Sequence, residues 1–431
     1  MSTDTPAAMV QRPPMKKIIS WAFYDWANHA FATTVLASFF PIFYKSYWRP
    51  DVPATQSTYE LGMFNSGAGL VLALLAPILG AIADRGGVKK RFLLFFASIG
   101  IVASAGLHFV GYGNYQVAGL VFMIGIIGYL GANVFSDSML VDMARGRSTD
   151  RISALGFAMG YLGGGLLFAF NVFLTLKPEL FGIADKASAV RASFLIVAGW
   201  WLFFTLPLIL NVPEPKVVNR APMRDAIGAG LRQLRETFRH VRTLKPVMLF
   251  LLAYWLYIDG VNTIVVMAVD YGASLKFSTD SLIKALLIVQ FVGFPAAIAF
   301  GRLGDKIGTR AGIYVGLAVY CFVTFWGAYM TSEKEFYGLA IAIGLVQGGV
   351  QSLSRAFYAR LIPQDRVTEF FGFYNMLGRF ATLIGPMLMG VAGKLTGNSR
   401  ASILALSLLF FAGAIVLLFV KAGDADQSQR A

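Results

Sequence analysis

Twelve apolar stretches, each long enough to cross a bilayer, constrain this chain more than any other feature of it. They cover residues 16–44, 61–83, 92–110, 117–142, 153–174, 192–210, 246–270, 281–301, 311–330, 336–359, 369–393 and 401–420. A spanning helix needs about 20 predominantly apolar residues. Of the 431 residues, 57% are hydrophobic and 14% charged, against roughly 25% charged in a soluble domain, so little sequence is left for a globular domain. The expected fold is an all-α membrane protein of twelve transmembrane helices. The single cysteine, Cys321, excludes a disulfide within the chain and a cysteine-based metal site; neither a metal nor a cofactor is expected. No Walker-type nucleotide loop is present, and the dispersed His29, His108 and His240 do not form the cluster an intramembrane enzyme needs.

The net charge of +14 is distributed unevenly. The two tails and the even-numbered connections carry 25 Lys and Arg, the odd-numbered connections 10, and Arg355 and Arg379 fall within spans. Basic residues collect on the cytoplasmic side, so both termini are expected there. Met1–Met15 lacks a signal-peptide cleavage pattern and is read as a short cytoplasmic tail, with Gly423–Ala431 a second, polar one.

The chain repeats internally. Gly80, Asp84, Arg85, Gly87 and Lys89 recur as Gly301, Asp305, Lys306, Gly308 and Arg310 at a constant offset of 221. Asp150, Arg151, Gly156 and Phe157 recur as Asp365, Arg366, Gly372 and Phe373, and Asp25 with Asn28 recurs as Asp259 with Asn262. Such repeats indicate two pseudo-symmetric six-helix bundles, residues 1–210 and 245–431. The linker 211–244 is expected to lie at the membrane surface, with Ala226, Ile227, Leu231, Leu234 and Phe238 at helical spacing among arginines.

Ionisable residues inside spans are functional-site hypotheses by default. Asp25 and Asp259 lie ten to thirteen residues deep, about 15–20 Å at 1.5 Å per residue, and each shares a helix face with an asparagine three residues on. Desolvation favours the neutral carboxyl, so both are candidates for proton coupling, or for fixing helix packing through hydrogen bonds. Arg379 is read either as a clamp for a substrate carboxylate or as the counter-ion of one of these aspartates. Asp137 and Arg355, near equivalent ends of the fourth and tenth spans, form a gate ion pair or are separately solvated. His29 reads more readily as a packed residue than as a proton relay. Gln290, Gln347, Gln351, Asn171 and Asn375 either glue helices together or touch substrate. The glycine run Gly156, Gly160, Gly163, Gly164, Gly165 permits close backbone contact in the fifth span, and Gly385 with Pro386 permits a bend in the eleventh.

The loop pattern Gly-x-x-x-Asp-[Arg/Lys]-x-Gly-x-[Arg/Lys], complete in both copies, resembles the signature loop of the major facilitator superfamily. That resemblance implies alternating access about a midplane cavity, with the cytoplasmic face latched shut in the outward-facing state. Each loop aspartate can meet the positive N-terminal end of a neighbouring helix and a loop arginine; the arginines the resemblance implies are Arg145, Arg147 or Arg151 for Asp84, and Arg360 or Arg366 for Asp305. The first span of each half would line the cavity, with Tyr24, Asn28, Asn262, Arg379, Tyr254, Tyr374 and Gln351 at the substrate and Trp26 as a further aromatic wall. Trp21 to Asn28, Gly156 to Gly163, Tyr257 to Thr263, Gln347 to Arg355 and Glu369 to Tyr374 together resemble the autophagy-related vacuolar effluxer-like branch of the superfamily. The end of the fourth span, Phe135 to Asp142, departs from the Asn- and Pro-containing pattern of that branch. The resemblance implies a secondary transporter for amino acids or similar small zwitterions in a bacterial inner membrane. Its expected partners are the substrate, a proton and the lipid bilayer, without nucleic acid, in a monomer. Export of amphipathic compounds, facilitated diffusion without protons and a transport-dead scaffold are the alternatives.

Overall fold

The computed structural model describes residues 12–214, 244–275, 277–380, 384–396 and 399–420, with scattered positions between 225 and 236. Most of the two tails, the apolar positions of the linker and the side chain of Arg379 lie outside the described residues. The chain runs as helices α1 to α12. α1 comprises Met15–Ala30, a π-helical stretch Phe31–Phe39, a turn Phe40–Phe43 and a second π-helical turn Tyr44–Trp48. Five helices complete the first half: α2 (Ala54–Gly86), α3 (Lys89–Phe109), α4 (Tyr115–Met143), α5 (Thr149–Leu176) and α6 (Lys186–Asn211). The second half holds α7 (Lys245–Ser274), α8 (Thr279–Ile307), α9 (Thr309–Tyr329) and α10 (Glu333–Leu361). It ends with α11 (Val367–Phe380 and Ile384–Thr396) and α12 (Ser399–Ala405 and Ser407–Leu418).

Among the described residues ten helices are long and apolar enough to cross a membrane. α1 and α11 fall outside that group: α1 passes from α-helix into π-helix at Phe31, and residues 381–383, between the two pieces of α11, lie outside the described residues. Hydropathy marks the apolar part of a helix and not its full length, so α2 and α8 extend beyond the stretches expected at 61–83 and 281–301.

The π-helical stretches of α1 have a local cause. Thr33 donates its hydroxyl to the carbonyl of His29 at 2.5 Å, and Ser46 to that of Ile42 at 3.0 Å. A side chain that occupies the carbonyl four residues back competes with the α-helical ladder there, and Pro41 has no N–H to give to it.

Glycines set how closely the helices approach. A Cβ on Gly128 of α4 would lie 2.3 Å from the backbone nitrogen of Gly100 in α3. A Cβ on Gly80 of α2 would lie 2.5 Å from the carbonyl oxygen of Thr368 in α11, and one on Gly301 of α8 would lie 2.6 Å from Ala154 in α5. The last two contacts join the halves: α2 packs on α11 and α5 on α8. Association without a hydrophobic driving force depends on this kind of backbone contact. Gly87 and Gly308, the second glycine of each repeated loop, have φ of +60° and +92°, values that favour glycine. Gly128→Val is expected to destabilise the protein by at least 1–3 kcal/mol, the usual cost of overpacking. Gly69→Ala, with nothing within 4 Å of its added Cβ, is expected to hold or raise the unfolding temperature; thermal unfolding in detergent compares the two.

Candidate functional site

The two repeated loops lie at one end of the helices, where the halves are tied together. Asp84, near the end of α2, accepts the backbone N–H groups of Thr368 and Glu369 at 3.1 and 3.0 Å and lies 3.3 Å from Lys89 Nζ. It thus caps α11 from the other half, since the first turn of a helix has N–H groups without intrahelical partners and a positive dipole end. The arginines expected beside Asp84 are not among these partners. Arg151 pairs instead with Asp305, which also accepts the hydroxyl of Ser148, the residue capping α5, at 2.5 Å. Arg360 pairs with the fully buried Asp150 at 2.9 Å, and Thr309 donates to the same carboxylate at 2.6 Å. Arg366 lies 3.5 Å from Asp365 and 3.7 Å from Glu236. The arginines expected for Asp84 and Asp305 are therefore corrected, while the helix start expected for a loop aspartate is what Asp84 meets. Each loop aspartate meets the start of a helix in the opposite half, where free amides or a capping hydroxyl are already in place. Arg85 and Lys306 are exposed at the ends of α2 and α8.

Deeper in the protein Arg355 of α10 is buried among four other helices. Its Nη1 lies 2.7 Å from Asp137 of α4 and 3.6 Å from Asp25 of α1. Nε donates to Ser153 Oγ at 3.0 Å and Nη2 to Ser153 O at 2.9 Å, both on α5. Asn375 of α11 donates to the second oxygen of Asp137 at 3.0 Å. The guanidinium also lies over the rings of Phe157 and Trp21, 4.4 and 5.4 Å from their centres, a favourable place for a cation. The side chains of Arg355, Asp25 and Asp137 are 3%, 8% and 13% exposed. One cation is thus shared by two buried carboxylates, and Asp25 is the more loosely held.

α1 and α5 run together in a fixed register. A Cβ on Gly156 would lie 2.4 Å from Asp25 Oδ2, one on Gly160 2.5 Å from His29 Nδ1 and one on Gly164 2.6 Å from Thr33 Oγ. The glycines of α5 are the surface onto which the polar stripe of α1 fits. Asn28 donates to Asn133 Oδ1 of α4 at 2.5 Å. Trp26 stacks on Trp200 of α6, and Tyr24 is fully buried.

Asp259 is held differently from its counterpart. It accepts the N–H groups of Ile384 and Gly385 at 3.0 and 2.9 Å and the hydroxyl of Thr263 at 3.2 Å. Asn262 donates to the carbonyl of Gly378 at 3.3 Å. The pair on α7 thus grips both pieces of α11. Tyr254 and Tyr374 stack on each other at 4.2 Å, and Tyr161 donates to Gln351 at 3.4 Å. Ser153, Asn133 and Thr309 were not singled out from the sequence, whereas Lys89 is the closing cation of the first repeated loop. Ser153 had a signal: it stands three residues before Gly156, on the same face of α5. No cluster of three or more His, Cys, Asp or Glu among the described residues can hold a metal.

This arrangement is the fold of the major facilitator superfamily, and the protein is an integral, multi-pass membrane transporter. The structure matches the proton:xylose symporter XylE with a TM-score of 0.72 at 14% identity, covering 94% of this chain and 96% of that one. It matches the human organic anion transporter MFSD10 with a TM-score of 0.70 at 17% identity, covering 94% and 100%. Both likenesses concern the fold. The chain belongs to the vacuole effluxer Atg22-like family, whose model matches residues 63–149 and 142–430. It is 38% identical over 414 residues to the uncharacterised MFS-type transporter YxiO of Bacillus subtilis strain 168, covering 95% of this chain and 96% of that protein. It is 24% identical to autophagy-related protein 22 of Saccharomyces cerevisiae strain S288c, covering 86% and 80%.

Removing Arg355 leaves two buried carboxylates without their cation. Arg355→Met is expected to cost about 3–5 kcal/mol, and adding Asp137→Asn to recover part of that loss. Unfolding temperatures of the single and double variants test the coupling; equal temperatures would contradict it.

Proposed function

We propose that the protein is a proton-coupled secondary transporter of amino acids or similar small zwitterions, working by alternating access between its two six-helix halves. In this reading the basic end of the bundle faces the cytoplasm of a bacterial inner membrane, both termini are cytoplasmic and the protein acts as a monomer. The conformation described is then outward-facing, with Asp84, Asp305 and Asp150 latching the cytoplasmic side. Membership of a vacuole effluxer-like family supports transport of a small solute.

The observation that carries the coupling is the charge balance at Arg355. Two carboxylates and one guanidinium, with Asp25 and Arg355 buried and Asp137 partly so, sum to a single negative charge, and one proton makes the cluster neutral. Asp25 is the group to accept it, because Asp137 is held by both Arg355 and Asn375 while Asp25 lies 3.6 Å from the guanidinium. A proton on Asp25 removes one of the two carboxylates attracting Arg355. That loosens the tie from α10 to α1 and favours opening at the latched end. Protonation and gating thus meet in one side chain. Asp259, engaged with the backbone of α11, acts in this reading as an anchor for that helix.

Arg355 is buried and gives each of its three nitrogens to Asp137 or Ser153, so a zwitterion's carboxylate finds its partner elsewhere until the gate opens. The test is uptake of labelled amino acids by proteoliposomes under an imposed pH gradient. The wild type is expected to accumulate its substrate. Asp25→Asn is expected to fall to simple equilibration while still exchanging substrate across the membrane. Wild-type accumulation by the variant would refute the assignment of Asp25, and equilibration by both proteins would show an uncoupled facilitator.

A further inference from the structure

α8 has three working faces. Gln290, Gly293, Gly301 and Gly304 meet α5, while Val292, Ala297 and Phe300 meet α10 or α9. The third face carries Lys284, Ile288, Phe291, Pro295 and Ala299 at helical spacing, and with Tyr337, Ile341 and Leu345 of α10 it bounds a groove of about 900 Å³. Phe291, Ile341 and Leu345 are exposed, and in a membrane this surface borders the hydrocarbon. Pro295 has no N–H to leave unpaired on the exposed side of the helix.

The groove is polar at one end only. Lys284 lines it one to two turns into α8, beside Tyr337, whose hydroxyl donates to Ser281 Oγ at 2.8 Å. From Lys284 to Ala299 the helix advances about 22 Å, more than the roughly 15 Å depth of one leaflet's hydrocarbon. Lys284 is exposed and close to the start of the helix, where a lysine's ammonium reaches headgroup level. Lys284 forms none of the ion pairs within 4 Å among the described residues. Glu333, the carboxylate it acts on electrostatically, already accepts hydrogen bonds from Ser278 and Ser281.

We propose that this groove binds an anionic phospholipid, with one acyl chain lying between α8 and α10 and the phosphate at Lys284. The charge complements the mouth, and the apolar length takes a full tail. α8 also packs on α5 of the other half through Gln290 and Gly165. A lipid seated on its outer face therefore braces the helix at which the two halves meet.

The test is native mass spectrometry of the purified full chain in mild detergent, with phosphatidylglycerol or phosphatidylcholine added as mixed micelles. The wild type is expected to retain phosphatidylglycerol about fivefold more tightly, which corresponds to the roughly 1 kcal/mol attraction of one lysine for an anionic headgroup. Lys284→Gln is expected to abolish the preference, and Ala299→Phe, which fills the exposed floor of the groove, to reduce retention of both lipids. Unfolding temperatures establish that both variants are folded. An unchanged preference in Lys284→Gln, or unchanged lipid retention in folded Ala299→Phe, would overturn the proposal.

Discussion

One buried guanidinium is shared by more carboxylates than it can neutralise, and much of the structure follows from accommodating that. A charge taken out of water must be paired and hydrogen-bonded or it destabilises the protein by several kcal/mol. Arg355 draws its partners from α1, α4 and α5, and through Asn375 it is connected to α11 as well. The cluster therefore joins both halves from the inside, below the latches that join them at the surface. The surface ties rest on helix starts: Asp84 takes the free amides of α11, and Asp305 takes the hydroxyl that caps α5. The amides that meet Asp84 are fixed by the backbone, whereas Asp305 and Asp150 are met by side chains, those of Ser148 and Arg151 and of Arg360 and Thr309.

Much of this was legible in the sequence, for identifiable reasons. Apolar runs of membrane-spanning length have few alternatives in a bilayer, so the helices fall close to where hydropathy placed them. The repeated loop carries its own geometry, because Gly87 and Gly308 are needed at positive φ and Gly80 and Gly301 at close backbone approaches. The kind of partner a loop aspartate takes, a helix start or a loop arginine, was legible, but which ones was not. The partners include backbone amides and a capping serine contributed by the opposite half, and a motif says nothing about which helix start will stand opposite. Arg355 and Asp137 were recognisable as buried charges at equivalent ends, but Asp25 as a third member was not. It depends on Gly156 having no side chain, which lets Asp25 and Arg355 approach across that position.

The repeated Asp-x-x-Asn is held in different surroundings in the two halves. On α1 the aspartate faces a cation and the asparagine pairs with Asn133. On α7 the same two side chains grip α11, one at the carbonyl of Gly378 and the other at the amides of Ile384 and Gly385. A carboxylate that accepts two backbone N–H groups is engaged by fixed dipoles. A carboxylate 3.6 Å from a shared arginine is replaceable by its protonated form with less rearrangement. Sequence symmetry alone assigned both the same role; their surroundings separate them.

The fit of α1 against α5 also limits how the molecule can move. Asp25, His29 and Thr33 sit over Gly156, Gly160 and Gly164, so a shift of either helix by one residue would drive polar side chains into backbone. The two helices are expected to travel as one body. Above Thr33 the π-helical stretch changes the pitch of α1, and the aromatic contacts of Phe40 with Phe122 and of Phe39 with Phe168 take over. The alternating access proposed above would then be accommodated where the halves meet, at α2 with α11 and at α5 with α8 and α10. Those contacts seat side chains of one half on glycines of the other, as Tyr161 on Gly293 and Gly348. Glycine surfaces of this kind can part and close again without a barrier of their own, whereas the ties of Asp305 to Arg151 and of Asp150 to Arg360 must break.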